Sequence, residues 1–173
     1  MSKKNLMLIF GIAFLVSFGL CAEMPKFDSR KINSYQKECA NKKASGCFFV
    51  GVAYFLGDGM PKDDQKALEY LEQAREMEPK NPTYLATIGK MHFYDYKVNG
   101  IEENLNKAID LFNRACRYGE FDSCNILGGI YEYGENDIGI NYEMATLYYQ
   151  KSCDLKSLDG CDKLRNVRNR EIK

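Results

Sequence analysis

The chain carries one histidine, His92, and no excess charge of either sign, with 24 basic and 24 acidic residues over 173 positions. A single imidazole cannot furnish the histidine-bearing sets that hold catalytic zinc, and no two cysteines lie two to four residues apart, the spacing of a zinc cluster. The same absence removes the Cys-x-x-Cys redox motif. The glycines form neither Gly-x-Gly-x-x-Gly nor a Gly-Lys-Ser/Thr ending, so no phosphate loop is present. Glu135, Asp137 and Asn141 lack the spacing of a calcium loop. No metal and no cofactor are expected. Long apolar runs are also missing: the one at residues 6–20 is shorter than the ~20 residues a membrane-spanning helix needs.

That run has another reading. Lys3 and Lys4 precede it and Cys21-Ala22 follow it, the layout of a secretory signal peptide. Residues 1–22 are therefore expected to be cleaved, leaving a periplasmic or secreted protein with no membrane segment after signal cleavage. Leu20 argues against lipidation of Cys21. Removing two lysines leaves 22 basic and 24 acidic residues, a net charge of −2, which argues against nucleic acid as a partner. The basic cluster Lys163, Arg165, Arg168, Arg170 and Lys173 reads as the solvated cap that ends a stacked array.

What the chain does contain is a repeat. Val50-Gly51-x-x-Tyr54 is followed by Lys66-Ala67-Leu68-Glu69-Tyr70-Leu71, with Gly57, Gly59 and Pro61 between them. Ile88-Gly89-x-x-His92 precedes Lys107-Ala108, and Leu127-Gly128-x-x-Tyr131 precedes Met144-Ala145. Apolar and small residues spaced by three and four mark helix faces, and two helices per unit at this period mark a helical solenoid. Gly51 and Ala67 let two backbones approach. His92 stands where the other units have tyrosine, so a ring filling the same site is its expected role.

Six cysteines remain beyond residue 22, in three pairs of identical spacing: Cys39 with Cys47, Cys116 with Cys124, and Cys153 with Cys161. Six cysteines allow fifteen pairings, but the repeat places each pair across the turn from one hairpin to the next. Eight residues of continuous helix span about 12 Å, beyond the reach of a disulfide, so the chain must reverse inside each pair. Gly46, Gly119 and Gly160 are the residues expected to permit this. Three structural disulfides suit an oxidising compartment. The repeat at about 46–77 has Arg75 at the first cysteine's place and lacks a staple to the next.

The expected fold is all-α: an α/α solenoid of helical hairpins in a single domain, residues 23–173. Its parts are a capping helix at 29–41, repeats at about 46–77, 82–118 and 122–155, and a carboxyl-terminal capping helix at 159–173. The second hairpin is predicted to carry a longer loop, over residues 95–103.

The run Gly51-x-x-Tyr54-x-x-Gly57-x-Gly59-Met60-x-x-Asp63-x-x-Lys66-Ala67-x-x-Tyr70 resembles the Sel-one-like repeat (SLR), a relative of the tetratricopeptide repeat. Cysteine pairs eight apart further resemble the Helicobacter cysteine-rich proteins, secreted SLR proteins with one disulfide per repeat. The resemblance implies two functions. One is an interaction module with a protein or peptide ligand on its concave face, for which Tyr54, Tyr94, Tyr131 and Tyr133 are the candidate anchors. The other is weak β-lactam binding or hydrolysis, with a β-lactam or peptidoglycan-like ligand. A serine enzyme of that kind uses Ser-x-x-Lys, which Ser34-Tyr35-Gln36-Lys37 matches, but Ser-Asp-Asn and Lys-Thr-Gly are absent. Ser34 and Lys37 are therefore read first as the solvated face of the capping helix, and the single histidine excludes a metallo-β-lactamase. Partner binding is the main reading.

Overall fold

The computed structural model describes residues 31–171. The expected signal peptide, Cys21 and the first residues of the expected capping helix lie outside them. Among the described residues there are eight helices: α1 (Ile32–Ala40), α2 (Ala44–Leu56), α3 (Asp64–Met77), α4 (Pro82–Asn99), α5 (Glu102–Arg117), α6 (Phe121–Tyr133), α7 (Tyr142–Asp154) and α8 (Leu158–Glu171). They make three hairpins, α2–α3, α4–α5 and α6–α7, with α1 and α8 as half-units at the ends. The only extended pairing among these residues is a single bridge between Glu135 and Ile138.

Each hairpin closes on the small residues read from the repeat. A β-carbon at Gly51 would stand 2.7 Å from Leu71 Cγ, and one at Gly89 2.9 Å from Phe112 Cε1; at Gly128 it would run into the Tyr149 ring. The three facing residues, Leu71, Phe112 and Tyr149, occupy one repeat position and are buried, as are Ala67, Ala108 and Ala145 beside them. Helix ends follow the same logic. Gly57 and Gly100 end α2 and α4 in the left-handed region, at φ 68° and 71°. Asp63 and Asn141 cap α3 and α7 by accepting from the amides of Lys66 and Met144. At α4, Asn81 is the cap and Pro82 the first residue, where proline's missing amide costs nothing.

The second hairpin departs from expectation. The loop predicted at 95–103 is not there, because α4 runs on to Asn99 and only Gly100 and Ile101 separate it from α5. Asn104 takes the position of the caps Asp63 and Asn141 yet lies inside α5. Its side chain instead reaches His92 Nδ1, 3.1 Å away, and donates to Asp95. Between Gly89, which packs on Phe112 inside the helix, and Gly100 there is no glycine or proline, so α4 continues to Gly100.

All three disulfides form, with α-carbons 4.5, 5.0 and 4.5 Å apart. Their turns share one construction, although the glycines assigned to reversal are only partly right. The left-handed residue three positions past the first cysteine is Lys42 (φ 58°), Gly119 (φ 93°) or Lys156 (φ 70°). In each turn two amides donate back into the helix end: Lys42 to Cys39 and Lys43 to Glu38, Gly119 to Cys116 and Glu120 to Ala115, Lys156 to Cys153 and Ser157 to Ser152. This is the Schellman arrangement, with the cysteine fixed inside it. Gly46 and Gly160 lie within α2 and α8, where a β-carbon would press on Glu38 and Cys39 or on Ser152. They admit close helix contact rather than reversal.

Counting from Cys161, α8 carries Arg165 at the place of Gly51, Gly89 and Gly128. The basic residues of the cap are held by neighbours: Lys163 by Asp159, Arg165 by Asp162, Arg170 by Glu132, and Arg168 by Gln150.

Candidate binding surface

The four tyrosines expected at the binding face separate into two kinds. Tyr54 stacks on Tyr70 with centroids 5.8 Å apart and planes 16° apart, and Tyr131 stacks on Tyr148 at 5.7 Å and 4°. Both pairs join the two helices of one hairpin and both rings are half-buried. Tyr94 and Tyr133 behave differently: they are 47% and 60% exposed, and Leu56, at the same repeat position, is 38% exposed. One position per unit, five residues after the glycine of the first helix, thus places an apolar side chain in solvent.

Cations flank these rings. The Lys62 ammonium lies 5.6 Å from the centroids of both Phe55 and Tyr94, which meet edge to face. Arg170 lies over Tyr133, and the Lys97 ammonium over Phe93 and Tyr96. Lys97 also donates to Glu135 Oε1 at 2.6 Å. Burial, reinforced by the Glu135 carboxylate, raises the Tyr96 hydroxyl above the usual tyrosine range.

Beneath Tyr133 lies a buried polar contact that nothing in the sequence had flagged. Glu132 is buried, accepts from the Tyr149 hydroxyl at 2.7 Å and pairs with Arg170 at 2.9 Å. Burial first, and then Glu132, push the Tyr149 hydroxyl far above the usual tyrosine range. In the preceding unit the two equivalent positions are Phe93 and Phe112, in edge contact at 6.2 Å. The last hairpin has replaced an aromatic pair by a hydrogen-bonded one that also anchors the cap.

Ser34 and Lys37 stand one turn apart on the exposed side of α1, whose buried residues are Ile32 and Cys39. A shallow depression of about 350 Å³ lies elsewhere, between α7 and α8, lined by Leu147, Gln150 and Arg168 among others. His92 is half-buried at its repeat position. Among the described residues no cluster of His, Cys, Asp or Glu could hold a metal ion, and no helix is long and apolar enough to cross a membrane.

The family model of the Sel1 repeat matches residues 44–78, 84–119 and 121–157, which are the three hairpins. The chain belongs to the Sel1 repeat family. Cytochrome c oxidase assembly factor 7 of Xenopus tropicalis is 29% identical over 133 residues, 76% of this chain and 55% of that protein; the chain therefore spans about half the length of this curated relative. Among solved structures, a protective antigen of uropathogenic Escherichia coli with an SLR fold superposes with a TM-score of 0.70 at 21% identity, over 83% of this chain and 30% of that one. A Sel1 repeat protein from Oxalobacter formigenes gives 0.67 at 21% identity, over 80% and 54%. Helicobacter pylori cysteine rich protein B gives 0.54 at 24% identity, over 81% and 97%. At these identities the likeness is one of fold.

Within the Sel1 repeat frame, sequence reading missed Leu56, Val98, Ile101 and Ile140, all exposed. Leu56 could have been found, because it aligns with Tyr94 and Tyr133. The other three follow from where the hairpin loops turn, which the repeat does not encode.

Proposed function

We propose that this Sel1 repeat chain is an extracytoplasmic scaffold that binds a protein or peptide partner. The observation that carries this reading is the recurrence of a solvent-exposed apolar side chain, Leu56, Tyr94 and Tyr133, at one position of three successive repeats. Tyrosine is favoured at interfaces because it offers area and a polar tip at low entropic cost. Tyr54 and Tyr131 then act as supports, holding each hairpin in register. The disulfides favour an oxidising compartment, in keeping with a cleaved signal at 1–22. The test is selection of a random-peptide display library on the oxidised protein, with the Tyr94→Ala, Tyr133→Ala double variant as a counter-target. Peptides retained by the wild type and lost on the variant are expected; if none is retained, the scaffold reading falls. Hydrolysis of a β-lactam rests on Ser34 and Lys37 alone, both exposed on α1. Turnover of a chromogenic cephalosporin that disappears in Ser34→Ala would put an enzyme in place of the scaffold.

A further inference from the structure

The two long edges of the stack differ in charge. One edge is formed by the hairpin ends, the loops with the helix residues beside them, from the residue after Leu56, Tyr94 or Tyr133 to the residue before Ala67, Ala108 or Ala145. Those segments, 57–66, 95–107 and 134–144, hold nine acidic and four basic residues. The opposite edge is formed by the turns between hairpins, 39–47, 75–85, 116–124 and 153–161, and holds six of each. Both edges expose apolar side chains, but only the loop edge couples them to a net negative charge. Val98, Ile101 and Ile140 lie on it and Leu56, Tyr94 and Tyr133 border it, all from 38% to 60% exposed.

The loop edge is continuous across the repeats. Lys62 of the first loop reaches Tyr94 of the second unit. The second unit touches the third loop through Lys97 with Glu135 and through the Asn136 amide, which donates to Glu102 at 2.5 Å. The chain's own ammonium groups also reveal what these slots accept. Lys62 fills the angle between Phe55 and Tyr94, and Lys97 lies over Phe93 and Tyr96 while bonded to Glu135. A cation over an aromatic face with a carboxylate beside it gains from the ring quadrupole and the negative charge together.

We infer that the hairpin-loop edge docks a basic polypeptide segment whose lysines or arginines alternate with apolar side chains. The occupant is chosen by charge complementarity: carboxylates across three loops would steer a cationic chain and repel an acidic one, while the exposed tyrosines and aliphatics supply the area that holds it. This deepens the scaffold reading and rests on it.

The experiment separates the two. Peptides recovered from the display selection are sequenced, and a fluorescein-labelled synthetic copy of the most enriched one is titrated against the oxidised protein by anisotropy at low and high salt. Lysine- and arginine-rich, apolar-bearing sequences are expected. Affinity should drop about tenfold or more in Tyr94→Ala, as for an interface hot spot, and fall in a Glu102→Gln, Glu103→Gln, Asp137→Asn variant; raised salt should weaken binding. Tyr118→Ala and Leu158→Ala, on the opposite edge, should leave it unchanged. If retained peptides are neutral or acidic, or if binding is lost in Tyr118→Ala and not in Tyr94→Ala, the basic-partner inference is overturned and the scaffold reading stands. If no peptide is retained, both fall. Far-ultraviolet circular dichroism of each variant separates loss of binding from loss of fold.

Discussion

Three of the four junctions between helical units are covalently stapled and one, between α3 and α4, is not. At the stapled junctions the residue before the second cysteine is small and buried, Gly46, Ser123 or Gly160, and the turn is closed by two reciprocal backbone bonds around a left-handed residue. At the unstapled one the same position holds Tyr84, buried and stacked on Phe48 at 4.9 Å. Leu85 takes the cysteine's place with no exposure, and Arg75 pairs with Glu72 on its own helix. No residue from 75 to 85 adopts a positive φ; Pro79 and Pro82 shape the turn instead. Contact between α3 and α4 is the least extensive of any consecutive pair. One kind of junction relies on backbone closure and a bond, the other on an aromatic wedge.

The largest effect should come from removing the wedge. Tyr84→Ala is expected to cost about 3 kcal/mol, as other buried aromatic truncations do, visible as a fall in Cm in urea. At stapled junctions small residues already stand there, so the comparison collapses if the loss is negligible. Next, Cys116→Ala with Cys124→Ala should cost roughly 2–3 kcal/mol, the chain-entropy value for so short a loop, measured in the same way. A third change converts one junction into the other: Arg75→Cys with Leu85→Cys should oxidise to a fourth bond, whereas Arg75→Cys with Thr83→Cys should retain free thiols. Thr83 lies on the exposed side of α4 and Leu85 in the core. Titration of free thiols decides the register, and closure of the Thr83 pair would reverse it.

Smaller effects test the turns themselves. Lys42→Gly and Lys156→Gly should each stabilise by roughly 0.5–1 kcal/mol, because the left-handed conformation penalises a β-carbon and part of that gain is lost to the freer unfolded chain. Gly119→Ala should do the opposite, and equal melting temperatures for all three would remove the backbone argument. The smallest effect concerns Asp122, beside the stapled α5–α6 turn. Burial raises its carboxyl above the ordinary value of 3.8, with Lys90 pulling the other way. A carboxyl raised in the folded state contributes stability that is present below its unfolded value and is lost as pH rises through the folded one. Asp122→Asn should therefore raise Tm at neutral pH and have little effect below pH 3.8.

The hairpins and the cysteine pairs were legible for one reason: both depend on contacts that recur at fixed spacing, so Gly51, Gly89 and Gly128 and the eight-residue pairs expose the geometry directly. The turn residues were less legible. A lysine at a left-handed position carries no compositional signal, and Lys42 and Lys156 look like any surface residue, whereas the glycines that drew attention serve helix contact at Gly46 and Gly160. The extension of α4 to Asn99 was hidden because Asn104 occupies a capping position without capping. For the candidate surface, aromatic composition pointed to four tyrosines. Only the stacking of Tyr54 on Tyr70 and of Tyr131 on Tyr148 separated the supports from the exposed pair.

What the sequence by itself determined is the unit and its bonds: two helices brought together by a glycine and an alanine, repeated three times, with cysteines at the turns. These are local, periodic constraints, and backbone sterics impose them within one or two units of chain. What only the tertiary structure decided is how residues far apart in sequence meet. Glu132 found Tyr149 and Arg170, Lys62 found Tyr94, and three acidic loops aligned along one edge. Such meetings depend on how each hairpin rotates against the next, which is set by packing at the junctions and which no single repeat contains.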